Sequence, residues 1–488
     1  MQCWELLRAV ELCPSPDKLV ILVCFPTLSA LANPLGKGSL PMQFNYCSKK
    51  SVFGSRYLTC SFILWFIVLA LTYSLVGSQA VAQTVPPAFF SMHMHAGVVT
   101  RQPWPVVPFG STRLWDSHVD WAEVNPSKGV YNWSYLNAWL ADAKLHNVDV
   151  LYTFGRTPTW ASSNRSDLNC GGGAGECAAP NDLNADGTGT DQHWKDFVTA
   201  LVTHSNKSTT AHISFWELWN EPYNTNNWTG TIAQLVRMSK DARTIIKALS
   251  PSALILTPSV DIESTPGRNW FASYLTAQGG QYSDMIAFHG YVQKAGYTPK
   301  AEDLIGYVNQ FRTILNAHGQ GSKALWDVEA SWGRTVKTNF YNQDLQASFL
   351  ARMYLLHRYK GISRFYWYQW NSPLVGTLWL PDPNNPSAPG TLEKPGIAFG
   401  QVYKWMVGAT LTACSSKNTI WTCQLTRPGG YLAEAIWDTA QTCANGSCTT
   451  VGRTVDSKYK RYRTLSGSMI TIQGSMVPVG IKPILLEN

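Results

Sequence analysis

Short apolar runs alternate with longer stretches of helical period from about residue 88 onward. The runs begin near Phe89, Ser111, Val148, Ile213, Ala253, Met285, Ala324 and Arg364 and are rich in β-branched and aromatic residues. They are continuous rather than alternating, the pattern of strands covered on both faces, as in a parallel sheet. Between them, residues 136–145, 194–204, 232–249, 301–317 and 344–359 carry apolar positions at helical spacing. Strand and helix alternating eight times over roughly 300 residues predicts an α/β fold, a (β/α)8 TIM barrel, for residues 83–408.

The pattern fades near residue 408. Residues 409–488 hold shorter runs with Gly, Pro and Asn turns between them, and predict a small C-terminal β-sandwich domain. The longest interval in the barrel lies between the third and fourth strands and contains Cys170 and Cys177, which suggests a disulfide-pinned loop at the rim. Upstream, residues 57–77 are uncharged, Lys49, Lys50 and Arg56 precede them, and Ala80-Val81-Ala82 follows. Residues 49–82 thus read as a signal peptide cleaved after Ala82. The alternative is a retained membrane anchor, since the apolar run is long enough to span a bilayer. Residues 1–48 form an unassigned N-terminal extension.

Composition narrows the class. Only 14% of residues are charged and 45% are hydrophobic, which excludes a disordered or coiled-coil chain. The net charge of +8 is spread thinly, with no basic stripe, so no nucleic-acid partner is expected. Eleven cysteines are present, and six follow the cleavage point in three close pairs: Cys170 and Cys177, Cys414 and Cys423, Cys443 and Cys448. Local pairing is the simplest of about fifteen connectivities and fits a secreted or periplasmic protein. No Cys-x-x-Cys, phosphate loop, Gly-x-Ser-x-Gly or His-Glu-x-x-His stretch occurs, so no cofactor or structural zinc is called for.

Two acids stand out. Glu221 follows the fourth run within Trp219-Asn220-Glu221-Pro222, and Glu329 ends the seventh, Trp326-Asp327-Val328-Glu329. In a barrel, strand ends share one mouth, and paired carboxyls there suit glycosidic bond cleavage, one protonating the leaving oxygen and the other attacking the sugar. Glu217 lies inside the strand and is set aside. Asp327 has the parity of Glu329 and is a weak competitor. His93 and His95 form a His-x-His pair with three readings: zinc ligation, a packed core histidine, or His95 as a sugar contact. Asp182-x-Asn184-x-Asp186-Gly187 resembles the start of a calcium loop, against the ordinary reading of a turn that bonds its own backbone. Of the 21 tryptophans many must be core, but Trp104, Trp160, Trp228, Trp332 and Trp379 fall in loops where sugar stacking is plausible.

The pair Trp219-Asn220-Glu221-Pro222 and Trp326-Asp327-Val328-Glu329 resembles clan A of the retaining glycoside hydrolases. So do Arg113-x-Trp115-Asp116 and Phe288-His289-Gly290-Tyr291. Family 39, which includes β-xylosidases, α-L-iduronidases and exopolysaccharide hydrolases, is the most similar. The resemblance covers about residues 89–405. It implies Glu221 as acid/base, Glu329 as nucleophile, and Asn220 as donor to the sugar 2-hydroxyl. It further implies Tyr291 or His289 touching the nucleophile, Arg113 supplying positive charge beneath it, and Trp370 as a platform under the sugar. The implied partner is a poly- or oligosaccharide. The rival is a non-catalytic carbohydrate-binding protein on the same barrel, or a cellulase- or mannanase-like clan member.

Overall fold

Apolar runs covered on both faces become strands because β-branched and aromatic side chains fit a half-flat pleated surface. The computed structural model describes residues 83–95, 102–292, 299–332, 342–371, 375–444 and 446–488. Eight strands appear where the pattern placed them: β1 (Phe90–His93), β2 (Ser111–Leu114), β3 (Asp149–Thr153), β4 (Phe215–Glu217), β5 (Leu254–Leu256), β6 (Ile286–His289), β7 (Leu325–Ala330) and β8 (Ile362–Trp367). They pair in parallel in the order β5-β4-β3-β2-β1-β8-β7-β6, and a bridge between Leu256 and Met285 joins the two ends. The result is a (β/α)8 barrel, with Leu151, Leu256, Ala287, Trp326, Val328 and Tyr366 filling its interior.

Around it lie α1 (Ser134–Leu145), α2 (Gln192–Lys207), α3 (Ile232–Leu249), α4 (Thr265–Thr276), α5 (Leu304–Ala317), α6 (Gln343–Tyr359) and α7 (Lys394–Met406). Two of these escape the sequence pattern for one reason. Both α4 and α7 open on Pro-Gly, which reads as a turn. Proline in the first helical turn costs no hydrogen bond, so each Pro-Gly starts a helix instead of ending one.

The carboxyl-terminal region forms a six-stranded sheet that includes Thr410–Lys417, Ile420–Arg427, Tyr431–Asp438 and Ile484–Glu487. A second antiparallel pair, Thr450–Thr454 with Met476–Gly480, packs through Val477 and Val479 on Ile436 and Leu486. This is the expected β-sandwich, with more strands than the pattern showed. Thr410–Lys417 is largely exposed and polar, so it carries little periodic signal. The sandwich is tied to the barrel through Glu302, which accepts from Trp437 Nε1 at 2.8 Å and takes both ends of its carboxylate to Arg352 at 2.9 and 2.8 Å.

The six cysteines pair locally, Cys170–Cys177, Cys414–Cys423 and Cys443–Cys448. The segment 49–82, read as leader or anchor, and the extension 1–48 lie outside the described residues. Among the described residues no helix is long and apolar enough to cross a membrane.

Candidate active site

In β2 alternate residues face the barrel interior, which turns Ser111 towards Tyr366 and leaves Arg113 wholly buried near the mouth. A buried guanidinium must be paired. Arg113 Nε and Nη2 donate to the two oxygens of Glu217 at 2.7 and 2.8 Å. Nη1 donates to Glu329 Oε2 at 2.8 Å, and Nη2 also donates to Asn220 Oδ1 at 2.7 Å. Thr153 Oγ1 adds a bond to Glu217 at 2.8 Å. Glu217 is therefore the anchor of Arg113, a role invisible in its local sequence. The signal was there in one form: an acid at a lumen-facing position of an apolar strand must find a cation.

Glu221 leaves β4 through a backbone turn with φ 42°, in the left-handed region, while Asn220 bridges to Ser259 beside β5. The turn brings Glu221 Oε1 to 2.7 Å from His289 Nδ1. Two residues on, the Tyr291 hydroxyl donates to Glu329 Oε1 at 3.0 Å. The structure thus divides the pair: Tyr291 holds Glu329, and His289 holds Glu221, with His289 Nε2 3.8 Å from Glu329. An oxygen of Glu221, a ring nitrogen of His289 and an oxygen of Glu329 all lie within 4.8 Å of one another.

Electrostatics bind the three into one titrating unit. Burial pushes the Glu221 carboxyl up, but the hydrogen bond and charge of His289, then Arg113, outweigh it and hold it below its ordinary value. Burial pushes Glu329 up, and the charge of Glu221 adds to it, against His289, Arg113 and the Tyr291 bond. Burial alone would lower His289; Glu329 and Glu221 together raise it to about 9. The two carboxyl groups beside it therefore favour the protonated form of His289. A metal ion fits poorly here, because it would compete with the His289 proton and with Arg113 for the same oxygens.

His95 lies at the end of β1, its Nδ1 3.2 Å from Gln369 Nε2. Burial, partly offset by Asp116, lowers it to about 4, so its ring is neutral, and Nε2 meets no partner among the described residues. His93 is engaged within the barrel: its Nε2 lies 3.0 Å from Val328 O and 3.2 Å from Arg113 Nη1. No third ligand joins the two histidines among the described residues. Trp370 is only 3% exposed and stacks on Trp379 at 5.9 Å. Trp160 is half-buried, its Nε1 donating to Asn125 O at 2.8 Å and its ring edge-on to His193. Trp228, Trp332 and Trp379 are packed in the core. The Asp182 loop closes on itself, Asp182 capping the amides of Gln192 and His193 and Asp186 taking Thr188.

Two further groups escaped the sequence reading. Asp261, beside His289 after β5, accepts from the Tyr223 hydroxyl at 3.0 Å, and burial together with Glu221 pushes it up to about 8. Arg156, after β3, pairs with Asp116 and with Asp120 at 3.0 Å. The Cys170–Cys177 loop joins the segment after Glu221 through Gly171 N to Asn226 O at 2.8 Å and Thr229 N to Cys177 O at 2.7 Å.

No family model and no curated protein sequence matches the chain. Solved structures do. The fold is similar to a family 39 glycoside hydrolase from the gut symbiont Bacteroides cellulosilyticus WH2, at 16% identity over 82% of this chain and 81% of that one, TM-score 0.59. It is also similar to a glucosidase from Croceicoccus marinus, at 14% identity over 83% and 97%, TM-score 0.55. A monomeric β-xylosidase from Caulobacter crescentus matches at 16% identity over 83% and 97%, TM-score 0.54. At such identities the likeness is one of fold.

The buried acid of β4 and the half-buried acid of the turn after it should separate in a stability assay. Glu217→Ala strands the Arg113 charge and is expected to cost roughly 3–5 kcal/mol in urea unfolding. Glu221→Gln keeps an acceptor for His289 Nδ1, and that ring, unlike a guanidinium, can shed its proton, so the expected cost is smaller, about 1–2 kcal/mol. Equal losses for the two would contradict their different roles.

Proposed function

We propose that the chain is an exported retaining O-glycoside hydrolase acting on a poly- or oligosaccharide. The observation that carries this is the closeness of the Glu221 and Glu329 oxygens, within 4.8 Å at the ends of two barrel strands. Retaining enzymes place their carboxyls about 5–5.5 Å apart, too close for a water between carboxylate and sugar. The solved structures of similar fold include a β-xylosidase and a glucosidase, which supports the reaction class and leaves the sugar open.

In the first step Glu329 attacks the anomeric carbon, the bond to the leaving oxygen breaks, and Glu221 delivers its proton to that oxygen. In the second, Glu221 takes a proton from water, which displaces Glu329. Glu329 is suited to attack by the Arg113 and Tyr291 donors, which disperse its charge without protonating it. Asn220 has its oxygen engaged by Arg113, leaving its amide N–H to meet the sugar 2-hydroxyl. Glu221 needs a proton that the free protein keeps on His289. A shift along their 2.7 Å hydrogen bond supplies it. Water displaced by the sugar favours that shift, since a neutral pair loses less on desolvation than an ion pair. His95 is read as a further sugar contact, and residues 49–82 as the export signal or anchor; the three disulfides fit an oxidising compartment. A purely sugar-binding barrel would have no use for a nucleophile held by two donors.

Glu221→Gln and Glu329→Gln are each expected to abolish turnover of natural glycans. With an activated aryl glycoside and azide, only the Glu221 variant should recover, because its leaving group needs no proton and azide needs no base; equal recovery of both would refute the roles. For pH, His289 is raised to about 9, so the shared proton is present below that value and lost as pH rises through it. The alkaline limb of kcat/KM is expected near there, and His289→Asn should move it to lower pH. An unmoved limb would remove His289 from the proton path.

A further inference from the structure

Strict alternation along β7 would turn Asp327 and Glu329 to the same face. Trp326 and Val328 pack in the barrel interior, and Asp327 duly faces the helix layer, where its Oδ2 is 2.6 Å from His357 Nε2 on α6. Glu329 does not follow. It reaches the mouth, at Arg113 and Tyr291. The break is visible in the pairing. Against β6, Phe288 pairs with Asp327 but His289 pairs with Glu329; against β8, Phe365 pairs with Asp327 but Trp367 with Ala330. Val328 is an extra residue on β7 relative to both neighbours, a β-bulge, and a bulge re-aims the side chain that follows it.

A bulge frees backbone groups that must be satisfied when buried. Asp327 Oδ1 accepts from Glu329 N at 3.3 Å and from Gly290 N, between His289 and Tyr291, at 3.0 Å. The freed Val328 carbonyl is met by His93 Nε2 at 3.0 Å. Asp327 is itself pinned. His357 Nδ1 lies 2.7 Å from the Met353 carbonyl and so carries a proton there, the ring stacks on Phe365 at 3.9 Å, and one more proton must sit between Nε2 and Asp327. Both residues are fully buried. Residue 290 must be glycine, because a Cβ there would run into the Asp327 carboxylate.

We propose that the Asp327–His357 pair is the positioning device of the reaction: it holds the β7 bulge that aims Glu329 into the mouth and fixes the β6 segment bearing His289 and Tyr291 against it. This rests on the reading of Glu329 as the nucleophile. Asp327 touches no substrate and acts only through the backbone of its neighbours.

The test is the rate at which a 2-deoxy-2-fluoro aryl glycoside labels Glu329, followed by mass spectrometry, beside kcat and KM on an activated aryl glycoside. Asp327→Ala is expected to slow labelling and kcat by about 10²-fold, the scale of a displacement near 1 Å, with KM within about threefold and no recovery in azide. Asp327→Asn keeps the acceptor oxygen and supplies an N–H to His357, and should stay within about fivefold of the unaltered chain. Should Asp327→Ala fail to fold, His357→Phe decides: it keeps the stack on Phe365, unpins Asp327, and is expected to slow labelling at least tenfold. Normal labelling in a folded Asp327→Ala or His357→Phe protein overturns the proposal, as does failure of all three variants to fold, which would make the pair a stability element. If the unaltered chain is not labelled at Glu329, or Glu329→Gln keeps its turnover, the nucleophile assignment falls instead.

Discussion

The mouth is organised around a single buried cation. Arg113 has lost its water and is shared between Glu217 behind it, Glu329 beside it and the Asn220 amide. Removing a guanidinium from water costs several kcal/mol, recovered only if its fork of N–H groups is filled with good geometry. Those partners come from β4 with the turn directly after it and from β7, so satisfying one side chain from β2 fixes two separate stretches of chain. The pairing also has a chemical result. With Glu217 supplying one full negative charge, Arg113 is already neutralised before Glu329 is counted. The charges of His289 and Arg113, more than the Tyr291 hydrogen bond, favour ionised Glu329, yet burial and Glu221 still lift its pKa.

The trio of Glu221, His289 and Glu329 shares one electrostatic environment, each group shifting the others. Open to water, the imidazole takes the proton because two carboxylates surround it. Asp261 is a neighbour in the same field, its carboxyl lifted by burial and by Glu221 and leaning on the Tyr223 hydroxyl. The mouth thus carries acids in graded states, which is how one cavity can both give and receive protons near neutrality.

Much of this was legible in the chain. Eight apolar runs announce eight strands because parallel strands hide both faces, and no rival element packs so many β-branched and aromatic residues into so few positions. Glu221 and Glu329 are legible because they sit where such runs stop. Partnership across the chain is not. Nothing near Glu217 points to Arg113, 104 residues earlier, and nothing local decides between His289 and Tyr291 as the contact of Glu329. Parity failed at Asp327 and Glu329 because an inserted residue leaves no mark in composition; only the neighbours' pairing exposes it. Loop tryptophans were over-read as sugar platforms, since Trp228 and Trp379 are large enough to be drawn into the core from a loop. Of the two readings of the Asp182 stretch, the self-bonding turn fits Asp182 Oδ2 and Asp186 Oδ1, which accept from the loop's own amides.

The Cys170–Cys177 link lies on the rim, with no share in the barrel's apolar interior. Its backbone contacts run to residues 226 and 229, just beyond Glu221. Opening that one link, with Cys414–Cys423 and Cys443–Cys448 left closed, would therefore spare the barrel interior and loosen the stretch of chain just past Glu221.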